Sequence, residues 1–200
     1  MINYSDFDPA KRAFVFELDN VLYPEKDYLL QVYYLFANFL EYIETVPAAA
    51  DLTAFMKKAY EHQGNEGIFD RAQEVFGIDE KYRENFMRLH REAKLPLKLL
   101  LYKEMLDLLQ QITVDRKMIF LVTGGNPIQQ LNKIRHMEWN GLENYLKVFF
   151  TDELEAKPAP GVLLNILKDY ELSASEVVFI GNGEEDKLFA KNAGIEFVGV

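Results

Sequence analysis

The chain has 200 residues, 49% of them hydrophobic and 14% aromatic, with a formal net charge of −10. That is enough apolar material for one domain of ordinary size or for a core domain carrying a smaller insertion, and the acidity speaks against a nucleic-acid or anionic-membrane partner, which needs a basic patch. The absence of cysteine rules out disulfides, a thiolate nucleophile and Cys-ligated zinc, and the absence of a signal-like start or a membrane-length apolar run predicts a cytoplasmic protein.

Ala13–Leu18 reads as a buried strand closing on two carboxylates, Glu17 and Asp19. From Glu25 to about Gln111 the pattern is almost wholly helical. Leu29, Val32, Phe36, Phe39 or Leu40, and Ile43 fall at helical spacing. Pro47 and the alanines after it end this first helix. Further helices are expected over about 52–62, 69–76, 80–92 and 99–111, with a turn at Gln63–Gly67. Beyond this the pattern alternates. Strands are predicted at 117–122, 146–150, 177–180 and 196–200, and helices at 126–137, 161–170 and 186–193. Asn126-Pro127 has the residue types of a helix N-cap and first helical position.

Strand–helix alternation implies an α/β fold, a Rossmann-like parallel sheet with helices on both faces. The helical stretch between strands one and two is too long for a simple crossover. It reads as an inserted α-helical cap of roughly 65–75 residues.

Open parallel sheets bind ligands at the carboxyl ends of their strands, and polar groups collect there on four successive strands. Strand one ends in Glu17 and Asp19, which point the same way because they are two apart. Strand two ends in Thr123-Gly124-Gly125, strand three is followed by Thr151-Asp152 and Lys157-Pro158, and strand four ends in Gly181-Asn182-Gly183 with Asp186 beyond. Each tip alone is ordinary: a threonine in a turn, a rigid proline loop, a glycine turn. Together they supply the separate parts of a phosphoryl-transfer site. His62, His90 and His136 are too scattered for a metal site and read as structural or exposed.

This order of motifs resembles the haloacid dehalogenase-like (HAD) superfamily of hydrolases, whose members are mostly phosphatases. The family pattern is Asp-x-Asp-x-Thr/Val on strand one, Ser/Thr ending strand two, Lys-Pro after strand three and Gly-Asp-x-x-x-Asp on strand four. The chain offers Glu17-Leu18-Asp19-Asn20-Val21, Thr123, Lys157-Pro158 and Gly181-Asn182-x-x-x-Asp186. The wording Leu18-Asp19-Asn20-Val21-Leu22-Tyr23-Pro24 is most similar to a branch containing pyrimidine nucleotidases and related small-phosphate phosphatases. The resemblance implies a HAD-like core over 1–22 and 97–200 and a helical cap over 23–96.

The resemblance also implies roles. Glu17 takes the place of the nucleophile that forms an acyl-phosphate, and Asp19 that of the general acid and base. Thr123 and the Gly124 amide would bind the phosphoryl oxygens, and Lys157 would neutralise developing charge. Mg²⁺ would be held by Glu17, Asp19, Asn182 and Asp186. Two positions depart from the pattern. Glu17 is one methylene longer than aspartate, and Asn182 puts a neutral amide where the family has a carboxylate. The expected function is therefore a Mg²⁺-dependent phosphatase of a small phosphorylated metabolite, with activity weakened or lost. The alternative is a catalytically silent relative that binds a phosphorylated ligand or a protein partner. Substrate identity and oligomeric state are left open by the sequence.

Overall fold

The computed structural model describes residues 2–200. Its middle strand is β1 (Ala13–Phe16), four apolar residues with 0% exposure, as expected of a parallel strand covered on both faces. The helical insertion consists of α1 (Glu25–Glu44), α2 (Ala49–Gln63), α3 (Ile68–Phe76) and α4 (Arg83–Glu92). Strand β2 (Leu99–Leu100) and helix α5 (Lys103–Val114) follow. The chain then alternates through β3 (Met118–Thr123), α6 (Pro127–His136), β4 (Met137–Glu138), β5 (Leu146–Phe150), α7 (Gly161–Asp169), β6 (Val177–Gly181), α8 (Gly183–Asn192) and β7 (Glu196–Gly199).

Five strands form one sheet in the order β5-β3-β1-β6-β7, every pairing parallel. This is the expected α/β, Rossmann-like class. Phe16 lies opposite Leu121 on one side and Ile180 on the other, so the carboxyl ends of β3, β1 and β6 come level. One face of the sheet carries Val15, Phe120, Val122 and Phe179 against Leu163 and Ile166 of α7 and Phe189 of α8. On the other face Phe14 meets the ring of Phe7 edge-on at 5.1 Å.

Two elements differ from the sequence reading. The stretch 99–111 is not one helix: Leu99–Leu100 pairs in parallel with Met137–Glu138, and the helix begins at Lys103. The Tyr102 N–H donates to the Leu22 carbonyl at 2.8 Å, which pins that stretch extended before the helix starts. Helix α8 begins at Gly183, three residues earlier than expected, with Glu184, Glu185 and Asp186 in its first turn. Acidic side chains there are favoured by the partial positive charge of a helix N-terminus.

The chain divides into two compact units. One is the sheet unit, running to Pro24 and including Leu99–Gln130 and Met137–Val200; the other is helical, Glu25–Lys98 with Leu131–His136. In the helical unit α1 buries Leu29, Val32, Tyr33, Phe36 and Leu40, the expected stripe except at its end, where Ile43 is exposed. Phe36 packs on Phe86 at 4.9 Å and on Phe69 at 5.8 Å. Arg71 donates to the carbonyls of Gly64 and Glu66, closing the turn before α3. Among the described residues no helix is long and apolar enough to cross a membrane.

His90 lies in this helical core, edge-on to Phe86 at 4.6 Å, and its Nε2 has no hydrogen-bond partner among the described residues. Burial, reinforced by the charge of Lys133, lowers its pKa to about 4. The folded value lies below the unfolded one, so the unfolded chain takes up the proton first on acidification. The neutral ring supports the fold fully above about pH 6.5, and that support is lost as pH falls through about 4. His90→Phe is expected to flatten the decline in thermal midpoint over this window; an unchanged slope would show that other groups set it.

Candidate active site

The ladder between β1 and β6 continues one residue past β1, because the Glu17 N–H donates to the Ile180 carbonyl at 2.9 Å. The sheet therefore fixes the origin of the Glu17 side chain, which is 8% exposed. Its extra methylene is taken up by folding back. Oε1 accepts from the Leu18 backbone N–H at 2.8 Å and from the Thr123 hydroxyl at 2.6 Å. Oε2 is ion-paired with Lys157.

Lys157 also reaches Asp186 Oδ1 at 2.7 Å, and its Nζ lies 5.5 and 5.4 Å from the ring centroids of Phe179 and Phe189. An ammonium over aromatic faces gains electrostatic support where water is excluded. Burial lowers the Lys157 pKa below the usual lysine range, and Asp186 pulls the other way. Asp186 is held in turn, since its Oδ2 accepts from the Asn182 N–H at 2.9 Å. A Cβ at Gly181 would stand 2.6 Å from Asp186 Oδ2 and 2.6 Å from Phe179, so the strand end needs glycine for the carboxylate to come this close.

The turn after β1 carries Asp19. Asn20 sits in the left-handed region at φ 58°, and its N–H donates to the Tyr23 carbonyl at 3.0 Å. The Tyr23 hydroxyl donates back to Asp19 Oδ1 at 2.7 Å, and the Gln130 amide donates to Oδ2 at 2.9 Å. At the end of β3, Thr123 is fully buried. The Gly125 N–H donates to Asp152 Oδ2 at 2.8 Å. Asn126 caps α6 as its residue type predicts, its Oδ1 accepting from the N–H groups of Ile128 and Gln129.

The sequence-predicted residues thus come together. Glu17, Asp19, Gly124, Lys157, Asn182 and Asp186 line one cavity of about 340 Å³ at the carboxyl ends of the strands. Thr123 stands behind Glu17 as its hydroxyl donor. Three contributors had no role assigned from sequence: Tyr23 and Gln130, which hold Asp19, and Asp152, named there only at a strand tip, which occupies the Gly125 N–H. The signal for Gln130 was present. Asn126 fixes where α6 starts, and a residue four positions on lies on the same helix face.

As arranged, these side chains do not fit a divalent ion. Among the described residues no three His, Cys, Asp or Glu side chains gather in a metal-holding group. Both oxygens of Glu17 and both of Asp186 accept from protein donors, whereas Mg²⁺ demands near-ideal octahedral oxygen geometry. The Asn182 amide adds no charge, and its Nδ2 donates to the Asn20 carbonyl at 3.4 Å.

A family model described as haloacid dehalogenase-like hydrolase matches residues 11–194. A comparison with curated proteins gives no match. Among solved structures, the chain is similar to a protein from Thermotoga maritima provisionally assigned as a β-phosphoglucomutase, at 24% identity and a TM-score of 0.66 over 94% of this chain and 84% of that one. It is similar to a hydrolase from Streptococcus pneumoniae TIGR4, at 19% identity and a TM-score of 0.56 over 94% and 92% of the two chains. It is also similar to a protein from Lactobacillus plantarum provisionally assigned as a phosphoglycolate phosphatase, at 17% identity and a TM-score of 0.55 over 94% and 86%. At these identities the structural matches speak to the fold.

Proposed function

The chain belongs to the haloacid dehalogenase-like hydrolases, and from that premise we propose that it is a slow phosphohydrolase acting on a small phosphorylated metabolite. The observation that carries this reading is the convergence of Glu17, Asp19, Lys157 and Asp186 from different strand ends on one cavity, with the Thr123 hydroxyl bonded to Glu17. In the first step a Glu17 oxygen attacks phosphorus and the ester bond to the leaving oxygen breaks, giving an acyl-phosphate. Asp19 delivers the proton to that oxygen. In the second step Asp19 takes a proton from water, whose oxygen hydrolyses the acyl-phosphate and frees Glu17. Lys157 and the Thr123 hydroxyl turn from Glu17 to the phosphoryl oxygens as charge moves there.

The Mg²⁺ that accompanies this chemistry in the family resemblance enters no step here, because Glu17 and Asp186 among its proposed ligands are engaged by Lys157 and by backbone N–H groups.

One observation favours a second reading, a catalytically silent relative that binds a protein partner rather than a phosphate ester. Five carboxylates line the cavity (Glu17, Asp19, Asp152, Glu185 and Asp186) against the single ammonium of Lys157. A doubly charged phosphate ester entering that wall is repelled, and repulsion at close range in a partly dry site is strong. Hydrolysis of p-nitrophenyl phosphate by wild type and Glu17→Ala decides between the two. The phosphohydrolase reading expects turnover that falls at least about 100-fold in the variant, as for loss of a reacting group. Equal rates would leave the silent reading.

A further inference from the structure

We infer that Gln130 is a positioning residue for the hydrolysis, locking Asp19 and Thr123 into one arrangement; this rests on the phosphohydrolase reading above. Gln130 is 6% exposed, in the second turn of α6. Its Nε2 lies 2.9 Å from Asp19 Oδ2, 3.1 Å from Thr123 Oγ1 and 2.8 Å from the Gly124 carbonyl. Three acceptors around one end fix the orientation of the amide, since the reversed amide would face them with oxygen. The Thr123 hydroxyl spends its hydrogen on Glu17 Oε1, so it meets Gln130 as an acceptor.

A continuous hydrogen-bonded chain results, from Asp19 through Gln130 and Thr123 to Glu17. It joins the acid–base carboxylate to the nucleophile by a side chain that takes part in neither proton transfer nor attack.

The other end of the same amide distinguishes this role from ordinary core packing. Gln130 Oε1 is buried and has no hydrogen-bond partner among the described residues. A buried acceptor without a donor is destabilising, so the oxygen end offsets part of what the three Nε2 contacts contribute to the fold. Such a cost is expected where a residue serves the site. Tyr23 holds the opposite oxygen of Asp19 at 2.7 Å, so loss of Gln130 removes the amide contact to Oδ2 while the Tyr23 contact stays.

The test compares wild type, Gln130→Met and Gln130→Glu with p-nitrophenyl phosphate as probe, alongside thermal midpoints. Gln130→Met is expected to lower kcat by about 10–100-fold, the scale of an ångström-sized misplacement. KM should stay within about twofold, and the thermal midpoint should fall by at most about 10 °C, the scale of leaving one or two buried acceptors unpaired. Gln130→Glu keeps the length but sets a second carboxylate against Asp19 in place of a donor, and its kcat should fall at least as far. Unchanged kcat in Gln130→Met, or a kcat loss no larger than the unfolded fraction at the assay temperature, overturns the inference.

If wild type and Glu17→Ala prove equally inactive, the phosphohydrolase reading fails separately. Crystal structures of wild type and Gln130→Met then decide the positioning claim. An Asp19 carboxylate displaced by about 1 Å supports it, on the same scale, and an unmoved one overturns it.

Discussion

Replacing Lys157 by methionine is expected to lower stability by about 3–5 kcal/mol, the cost of stranding buried charge after one partner of an ion pair is removed. Lys157 is the cation between Glu17 and Asp186, and all three side chains are at most 10% exposed. Methionine keeps the stem that packs near Phe179 and Phe189 but removes the ammonium. Two carboxylates then face each other in a site that excludes most water. For a chain of this length a loss of that size lowers the thermal midpoint by roughly 6–20 °C. Urea denaturation of Lys157→Met gives the free energy directly. The variant Lys157→Met/Glu17→Gln, which removes one of the stranded charges, should recover about half of the loss, since pairs in contact are not additive. A loss below about 1 kcal/mol, the range of exposed ion pairs, would mean that the triad is far more open to solvent than its burial indicates.

The second large effect is a gain. Glu17→Asp/Asn182→Asp should raise kcat on a generic phosphate ester by about 100-fold over wild type, the rate scale attached to moving a reacting group by about 1 Å. In wild type the Glu17 carboxylate is folded back onto the Leu18 N–H. Aspartate is too short to make that return bond in the same way and presents its oxygens nearer the strand axis. Asn182→Asp adds a carboxylate next to Asp186, which repels it until a cation arrives. Mg²⁺ should therefore raise the thermal midpoint of the double variant and bind it at least about 10-fold more tightly than wild type, as hard cations prefer charged oxygen ligands. Calorimetric titration with Mg²⁺ measures this without reference to turnover. Equal Mg²⁺ affinity in the two proteins would show that the two departures are neutral for the metal, and an inactive double variant would count against phosphoryl transfer on this scaffold.

Much of the site could be read before any coordinates, because a parallel sheet gathers its strand ends on one edge. The apolar run Ala13–Phe16 followed by Glu17 and Asp19 marked a buried strand and its polar tip; its central place in the sheet came only with the structure. Thr123, Lys157 and Asp186 followed from the same rule applied to β3, the loop after β5, and β6. Side-chain partners were not legible. Nothing in the residue types says that Glu17 spends its extra methylene on the next backbone N–H, or that Tyr23 and Gln130 divide the two oxygens of Asp19. Those choices depend on turn geometry and helix phase, which a periodicity argument fixes only to within a residue or two. The Leu99–Leu100 strand escaped notice for a related reason. Its pairing partner, Met137–Glu138, is remote in sequence, and a two-residue ladder leaves no alternation to detect.

The position of β1 between β3 and β6 also governs the order in which the protein is made. Phe16 pairs with Leu121 and with Ile180, so the emerging chain carries an unpaired, wholly apolar strand until β3 has been synthesised. The helical segments of the insertion, whose contacts are local, form sooner than such remote pairings. During that interval β1 is the segment most open to pairing with another chain. Glu17 and Asp19 follow directly on its end, and like charges in register oppose the parallel stacking of identical strands. The residues that give the finished site its chemistry therefore also guard the nascent strand that carries them.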